Sequence, residues 1–289
     1  MGRTLVGLST FVLASPFADE DVGRFKSVAD MGYDVIEVCI ENPELIHPEV
    51  IAEEARRCGL GISICGAFGA ERDMASPSAV RRQTAMAYLK YCVDVAQRVE
   101  SPHVAGPMYS ATGRAELMST AERASWLMRA AEGLRQVADY AAERAVALAI
   151  EPLNRFETDM INTVDQALEL CDLIDRSNVG LLLDTFHMNI EEKRIGEAIR
   201  RAGTRLLHVQ VSENDRGTPG SGHVPWLEVF EALHDVKYEG WIVVESFLPT
   251  VEEIARAVSL WRPVASSMEA LARDGLAFIR QEMSLVGES

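Results

Sequence analysis

Three acids each close an apolar run: Glu151 follows "ALAI", Asp184 follows "GLLL" and Glu245 follows "IVV". A charge at the end of a buried strand is costly to desolvate. Taken singly, each acid reads as a helix cap or as half of an ion pair. Three acids on strands that converge would repel one another, and a bound divalent cation is the simplest neutraliser. Carboxylate oxygens suit a hard ion such as Mg²⁺ or Mn²⁺. The stretch "HVQVSENDRG" (208–217) adds two polar side chains, His208 and Gln210, on one face of a strand. An amide carbonyl is an oxygen ligand, so Gln210 can complete the set. His208 has a competing claim, because imidazole also suits Mn²⁺. The plainer readings are a core histidine bonded to a neighbour and an interior glutamine paired to another side chain.

These residues need strands to carry them. Short apolar runs alternate with helical stretches along the chain. The expected strands are 4–9, 33–40, 60–68, 102–108, 145–154, 178–187, 205–214 and 240–247. Helices are expected near 19–32, 48–59, 77–99, 119–143, 163–176, 191–202 and 226–236, and after 250. The strands are continuous apolar runs, the mark of parallel strands buried on both faces. Eight such units predict a single (β/α)8 TIM barrel over 1–289, with C-terminal helices over 250–285 packing on it. In that fold the active site lies at the C-terminal ends of the strands, where the acids stand. An open doubly wound sheet would want a glycine-rich phosphate turn after its first strand, and "GLSTFVLASPF" offers none.

Composition narrows the class. The chain has 289 residues, 48% hydrophobic and 25% charged, with a formal net charge of −16. An acidic chain repels phosphate backbones and anionic membranes, so neither nucleic acid nor membrane is an expected partner. The five cysteines (Cys39, Cys58, Cys65, Cys92, Cys171) include no Cys-x-x-Cys pair and read as buried thiols in a reducing compartment. There is no signal-peptide core and no apolar run of membrane-spanning length, so the expected location is the cytoplasm.

Five co-linear motifs then carry a likeness: "EPLNRFE" (151–157), "LDTFHMNIEE" (183–192), "SENDRG" (212–217), "GSGHVPW" (220–226) and "VVESF" (243–247). Together they resemble the ketose 3-epimerases, the D-tagatose and D-psicose enzymes of the xylose-isomerase-like barrel superfamily. "SPSAVRRQ" (76–83) and the barrel pattern extend the likeness more loosely to the first half. The resemblance implies a metal held by Glu151, Asp184 and Glu245 together with a histidine three residues before Glu213. That place is Gln210, so the chain departs from the epimerase pattern at one ligand. Hydroxypyruvate isomerases, similar at that strand, use a glutamine there. The resemblance further implies that Glu157, His187 and Arg216 bind substrate, and that Mn²⁺, with Mg²⁺ or Co²⁺ as substitutes, is the cofactor. A homodimer or homotetramer acting on a small sugar is the assembly expected.

Epimerisation at C3 removes a proton from one face and returns one to the other, through an enediolate. It needs two acid–base groups on opposite sides of the carbon. Glu151 and Glu245, three strands apart, are assigned these reciprocal roles. Phe11, Phe68, Tyr109, Trp226 and Phe247 are candidates to wall the sugar, although each alone is an ordinary core residue. The alternatives are a hydroxypyruvate-type or aldose–ketose isomerase, a metal-dependent elimination on a 3-oxo sugar, and a non-catalytic sugar- or metal-binding barrel. The paired glutamates weigh against the last. An endonuclease is disfavoured by the net charge and by too few histidines for a zinc cluster.

Overall fold

The computed structural model describes residues 4–287. Eight parallel strands close a barrel in sequence order: β1 (Val6–Ser9), β2 (Val35–Ile40), β3 (Gly61–Gly66), β4 (His103–Gly106), β5 (Ala147–Ile150), β6 (Val179–Asp184), β7 (Leu206–Val211) and β8 (Ile242–Val244). The ring closes where Gly7 of β1 pairs with Val243 of β8. Around it run α1 (Phe25–Met31), α2 (Pro48–Cys58), α3 (Ala79–Arg98), α4 (Thr120–Ala142), α5 (Val164–Ile174), α6 (Thr185–Glu191), α7 (Ile195–Ala202), α8 (Trp226–Asp235), α9 (Glu252–Ala257) and α10 (Met268–Gly287). This is the (β/α)8 barrel predicted above.

Local chemistry sets the helix starts and stops. Ser119 and Glu122 form a reciprocal capping box at α4, and Thr163 with Gln166 does the same at α5. Gly32 and Gly59 end α1 and α2 in the left-handed region, where a side chain would be strained. The expected domain limits, 1 and 289, fall outside the described residues. Near the C-terminus, α10 is tied to the body by Tyr33, whose hydroxyl donates to the Ala272 carbonyl at 2.6 Å. Phe278 meets Trp226 edge-on, with centroids 5.5 Å apart. Among the described residues no helix is long and apolar enough to cross a membrane.

Several strands are shorter than the apolar runs suggested. The sixth was expected over 178–187 but β6 stops at Asp184, whose carboxylate accepts the Phe186 N–H at 2.9 Å and so caps α6. The residues past Val211 of β7 likewise belong to a polar loop. The overruns at β6 and β7 lie at the C-terminal mouth, where the chain turns from ladder pairing to site-building, whereas β1 and β2 are shortened at their N-terminal ends.

The barrel interior is divided. Ala105, Ala149 and Leu182 fill one part of it. The other part is polar: Glu37, Ser63, His103, His208 and Gln210 are all buried and bonded to one another. Seating these groups away from water requires that their hydrogen bonds be met internally.

Candidate active site and metal centre

β5, β6, β7 and β8 deliver Glu151, Asp184, Gln210 and Glu245 to one end of the barrel. Asp184 and Gln210 are level across the β6–β7 ladder. Glu151 and Glu245 directly follow their strands, and their N–H groups are held by the Gly106 and Val211 carbonyls. All four side chains are buried. Above them opens a cavity of about 600 Å³, lined by Glu151, Glu157, His187, Arg216 and Glu245 at its floor and by Phe11, Phe68 and Phe247 on its walls. Ile254 and Ala257 of α9 reach its rim.

Arg216 occupies the centre of the acidic cluster. Its Nη1 donates to Asp184 Oδ2 at 2.5 Å and to Glu245 Oε2 at 3.0 Å, and its Nη2 lies 3.1 Å from His187 Nε2. The guanidinium stacks 3.9 Å from the Phe186 ring centroid. The backbone at Arg216 is left-handed, with φ of 66°, and its carbonyl accepts the Ser246 hydroxyl. His187 Nδ1 accepts the Asn154 N–H at 3.0 Å, while Nε2 faces both Arg216 Nη2 at 3.1 Å and Glu151 Oε1 at 3.4 Å. Asn154 Nδ2 also donates to Glu157 Oε1 at 2.8 Å.

Burial sets the protonation of this cluster. It pushes Glu151 well above the usual carboxyl range, and repulsion from Glu245 and Asp184 adds to the effect. Burial raises Glu245 strongly too, with Arg216 opposing. Asp184 is raised by burial despite the same guanidinium. Burial and then Arg216 push His187 well below the ordinary imidazole value, so the ring is neutral. Such a stack of acids, shifted upward by burial that the Arg216 guanidinium offsets only in part, is suited to a cation.

The donor set fits a hard divalent ion. Ligand atoms of Glu151, Asp184 and His187 lie within 4.8 Å of one another. Gln210 Oε1 is buried with no hydrogen-bond partner, although a buried carbonyl nearly always has one. Three carboxylates and an amide oxygen are what such an ion takes. The structure thus contains a candidate metal site, with Arg216 as the cation at its centre.

Other expected residues lie elsewhere. His208 does not reach the acids: its Nε2 bonds Glu37 Oε2 at 2.6 Å and its ring packs on His103 with centroids 4.4 Å apart. Tyr109 and Trp226 do not line the cavity. Tyr109 is wholly buried and its hydroxyl donates to the Ile161 carbonyl, while Trp226 begins α8 and its Nε1 donates to Glu213 at 2.9 Å. Both polar tips found partners in the scaffold, which turned the rings away from the sugar space. Glu37 was missed altogether. The signal was present in "VIEVCI", a lone acid inside a buried apolar strand, and the desolvation argument applied to the strand-end acids applies to it equally.

A xylose isomerase-like TIM barrel family model matches residues 25–282. The chain is 34% identical over 95% of both chains to the Synechocystis protein named "Probable ketose 3-epimerase". It is 32% identical over 84% of both chains to the D-psicose 3-epimerase of Ruminiclostridium cellulolyticum. A solved structure of L-ribulose 3-epimerase superposes with a TM-score of 0.93 at 28% identity, covering 99% of this chain and 96% of that one. The chain belongs to the xylose isomerase-like TIM barrel family and, within it, to the ketose 3-epimerases. Sugar epimerisation, an isomerase-class activity, is the chemistry these relatives support for it.

Proposed function

We propose that the protein epimerises a free ketose at C3, using a divalent ion held by Glu151, Asp184, Gln210 and Glu245. The observation that carries the reading is the placement of Glu151 and Glu245 at one mouth, on strands three apart, flanking Asp184 and facing one cavity. Held by these residues, the ion would supply Lewis-acid charge stabilisation. One glutamate takes the C3 proton on its side, and the other returns a proton to the opposite face; the epimer bound decides which acts first. Arg216 and Glu157 hold substrate oxygens, and His187 holds a substrate hydroxyl. With its Nδ1 engaged by Asn154, His187 is assigned to substrate through Nε2. Phe11, Phe68 and Phe247 wall the sugar and exclude water.

Manganese is the ion assigned, and Mg²⁺ and Co²⁺ are its substitutes, since oxygen donors dominate the set. A cytoplasmic location is supported by five free thiols. A homodimer or homotetramer is supported by apolar Leu117 and Phe156, which stand exposed. Gln210 is the feature that favours a second reading, a hydroxypyruvate-type or aldose–ketose isomerase.

Turnover of a ketose panel in D₂O, with Mn²⁺ restored after chelation, separates the two. Deuterium entering at C3 supports epimerisation. Deuterium at C1 and never at C3 replaces it by the isomerase, and full activity in verified metal-free protein removes the ion from the reading.

A further inference from the structure

Glu37 lies in the middle of β2, wholly buried and out of reach of the cavity. Its two oxygens have different duties. Oε2 accepts from His208 Nε2 at 2.6 Å and from the Ser63 hydroxyl at 3.0 Å. Oε1 accepts from Gln210 Nε2 at 2.7 Å. The same amide nitrogen donates to Glu245 Oε1 at 3.0 Å. Both amide hydrogens of Gln210 are thereby committed to carboxyl oxygens. The amide has one orientation left, with Oε1 unpartnered.

We propose that Glu37 is a positioning residue that sets the Gln210 amide with its oxygen toward the metal. The proposal rests on the reading of Gln210 as a ligand. A ligand amide must be told from its mirror orientation, because an NH₂ turned to the ion would repel it. The Glu37 carboxyl makes that choice by position: Oε1 accepts from the Gln210 NH₂ at 2.7 Å, while Oε2 is held in place by His208 Nε2 and the Ser63 hydroxyl. The bland alternative is that Glu37 serves only His208, as a buried pair that specifies the core.

The substitution Glu37→Gln separates these. A glutamine there must turn its oxygen to the two donors, His208 and Ser63. Its NH₂ then faces Gln210 Nε2, donor against donor, which leaves Glu245 alone of the two carboxyls to hold the Gln210 amide and frees it to turn its oxygen from the site. Loss of an outer partner of a metal ligand typically costs about 10–100-fold in metal affinity.

The test is calorimetric titration of Mn²⁺ into the full-length metal-stripped protein, as wild type, Glu37→Gln, Gln210→Ala and the double variant. The expected result is a weakening of about 10–100-fold for Glu37→Gln that largely disappears once Gln210 is alanine. Equal losses in both backgrounds, or no loss, overturn the positioning role and leave Gln210 as a ligand. Unchanged affinity in Gln210→Ala overturns the ligand reading and the proposal with it. Should Glu37→Gln not fold, crystals of the unaltered protein soaked in Mn²⁺ decide. Oε1 on the ion with Nε2 still on Glu37 supports the role; Oε1 on the ion with Nε2 turned from Glu37, or Gln210 off the ion, overturns it.

Discussion

Glu151 and Glu245 carry two duties in the proposed reaction, ion binding and proton transfer, so truncating either to alanine removes both at once. Glutamine keeps an oxygen and the shape but is no base at neutral pH. Glu151→Gln and Glu245→Gln should each lower kcat by about 10²–10⁴-fold, the usual worth of general acid–base catalysis, while Mn²⁺ still binds. Near-normal turnover in either variant removes the two-base mechanism. At this scale the sequence was informative where a residue broke a pattern. Glu151, Asp184 and Glu245 each interrupt an apolar run at its end, and Gln210 interrupts one from within. The role of His208 was not legible, because spacing says which way a side chain points but not how far it reaches. It lies one pleat below Gln210 and spends its Nε2 on Glu37.

At the scale of elements, the loop between β7 and α8 brings Arg216 into the cluster, and Glu213 shapes that loop. Its buried carboxylate accepts from the Gly220 and Val224 N–H groups and from Trp226 Nε1, each at 2.9 Å. Glu213→Gln sets an NH₂ among these donors, and an unsatisfied buried group costs about 1–3 kcal/mol. Urea unfolding should show a loss of that order, and KM for the ketose should rise because the loop bearing Arg216 loosens. Stability and KM both unchanged would show that the loop is held by something else. The sequence told of eight strands through their apolar runs. It did not tell where they stop, because Asp184 reads as strand end and helix cap alike until the Phe186 N–H is seen to turn toward it. Tyr109 and Trp226 were misplaced for a related reason: an aromatic at a strand mouth faces the cavity or the scaffold according to a hydrogen bond that sequence does not display.

For the whole molecule, the acidic centre couples metal, protons and stability. Burial holds Glu151 and Glu245 above the ordinary carboxyl range. In the metal-free fold they keep protons that the unfolded chain releases. Their contribution to stability is therefore full below the ordinary carboxyl pKa and is lost as pH rises toward the raised values. An ion needs the carboxylates bare, so its affinity climbs through the same window. An ion at about 100 times its Kd adds about 2.7 kcal/mol. At a fixed Mn²⁺ concentration, the gain in Tm over the metal-free protein should be larger near about pH 7.5 than near about pH 5.5. Differential scanning calorimetry at the two pH values checks this, and an equal or reversed gain contradicts the proton coupling.

Glu37 also bears on how this chain and its relatives diverge. A carboxylate does not distinguish an amide N–H from an imidazole N–H; either satisfies Oε1. A histidine at position 210 would thus find an acceptor already waiting behind it, and no other side chain need change with it. Codons for glutamine and histidine differ only in their last base. The exchange is within reach of a single mutation, and the acceptor on Glu37 is already in place for it.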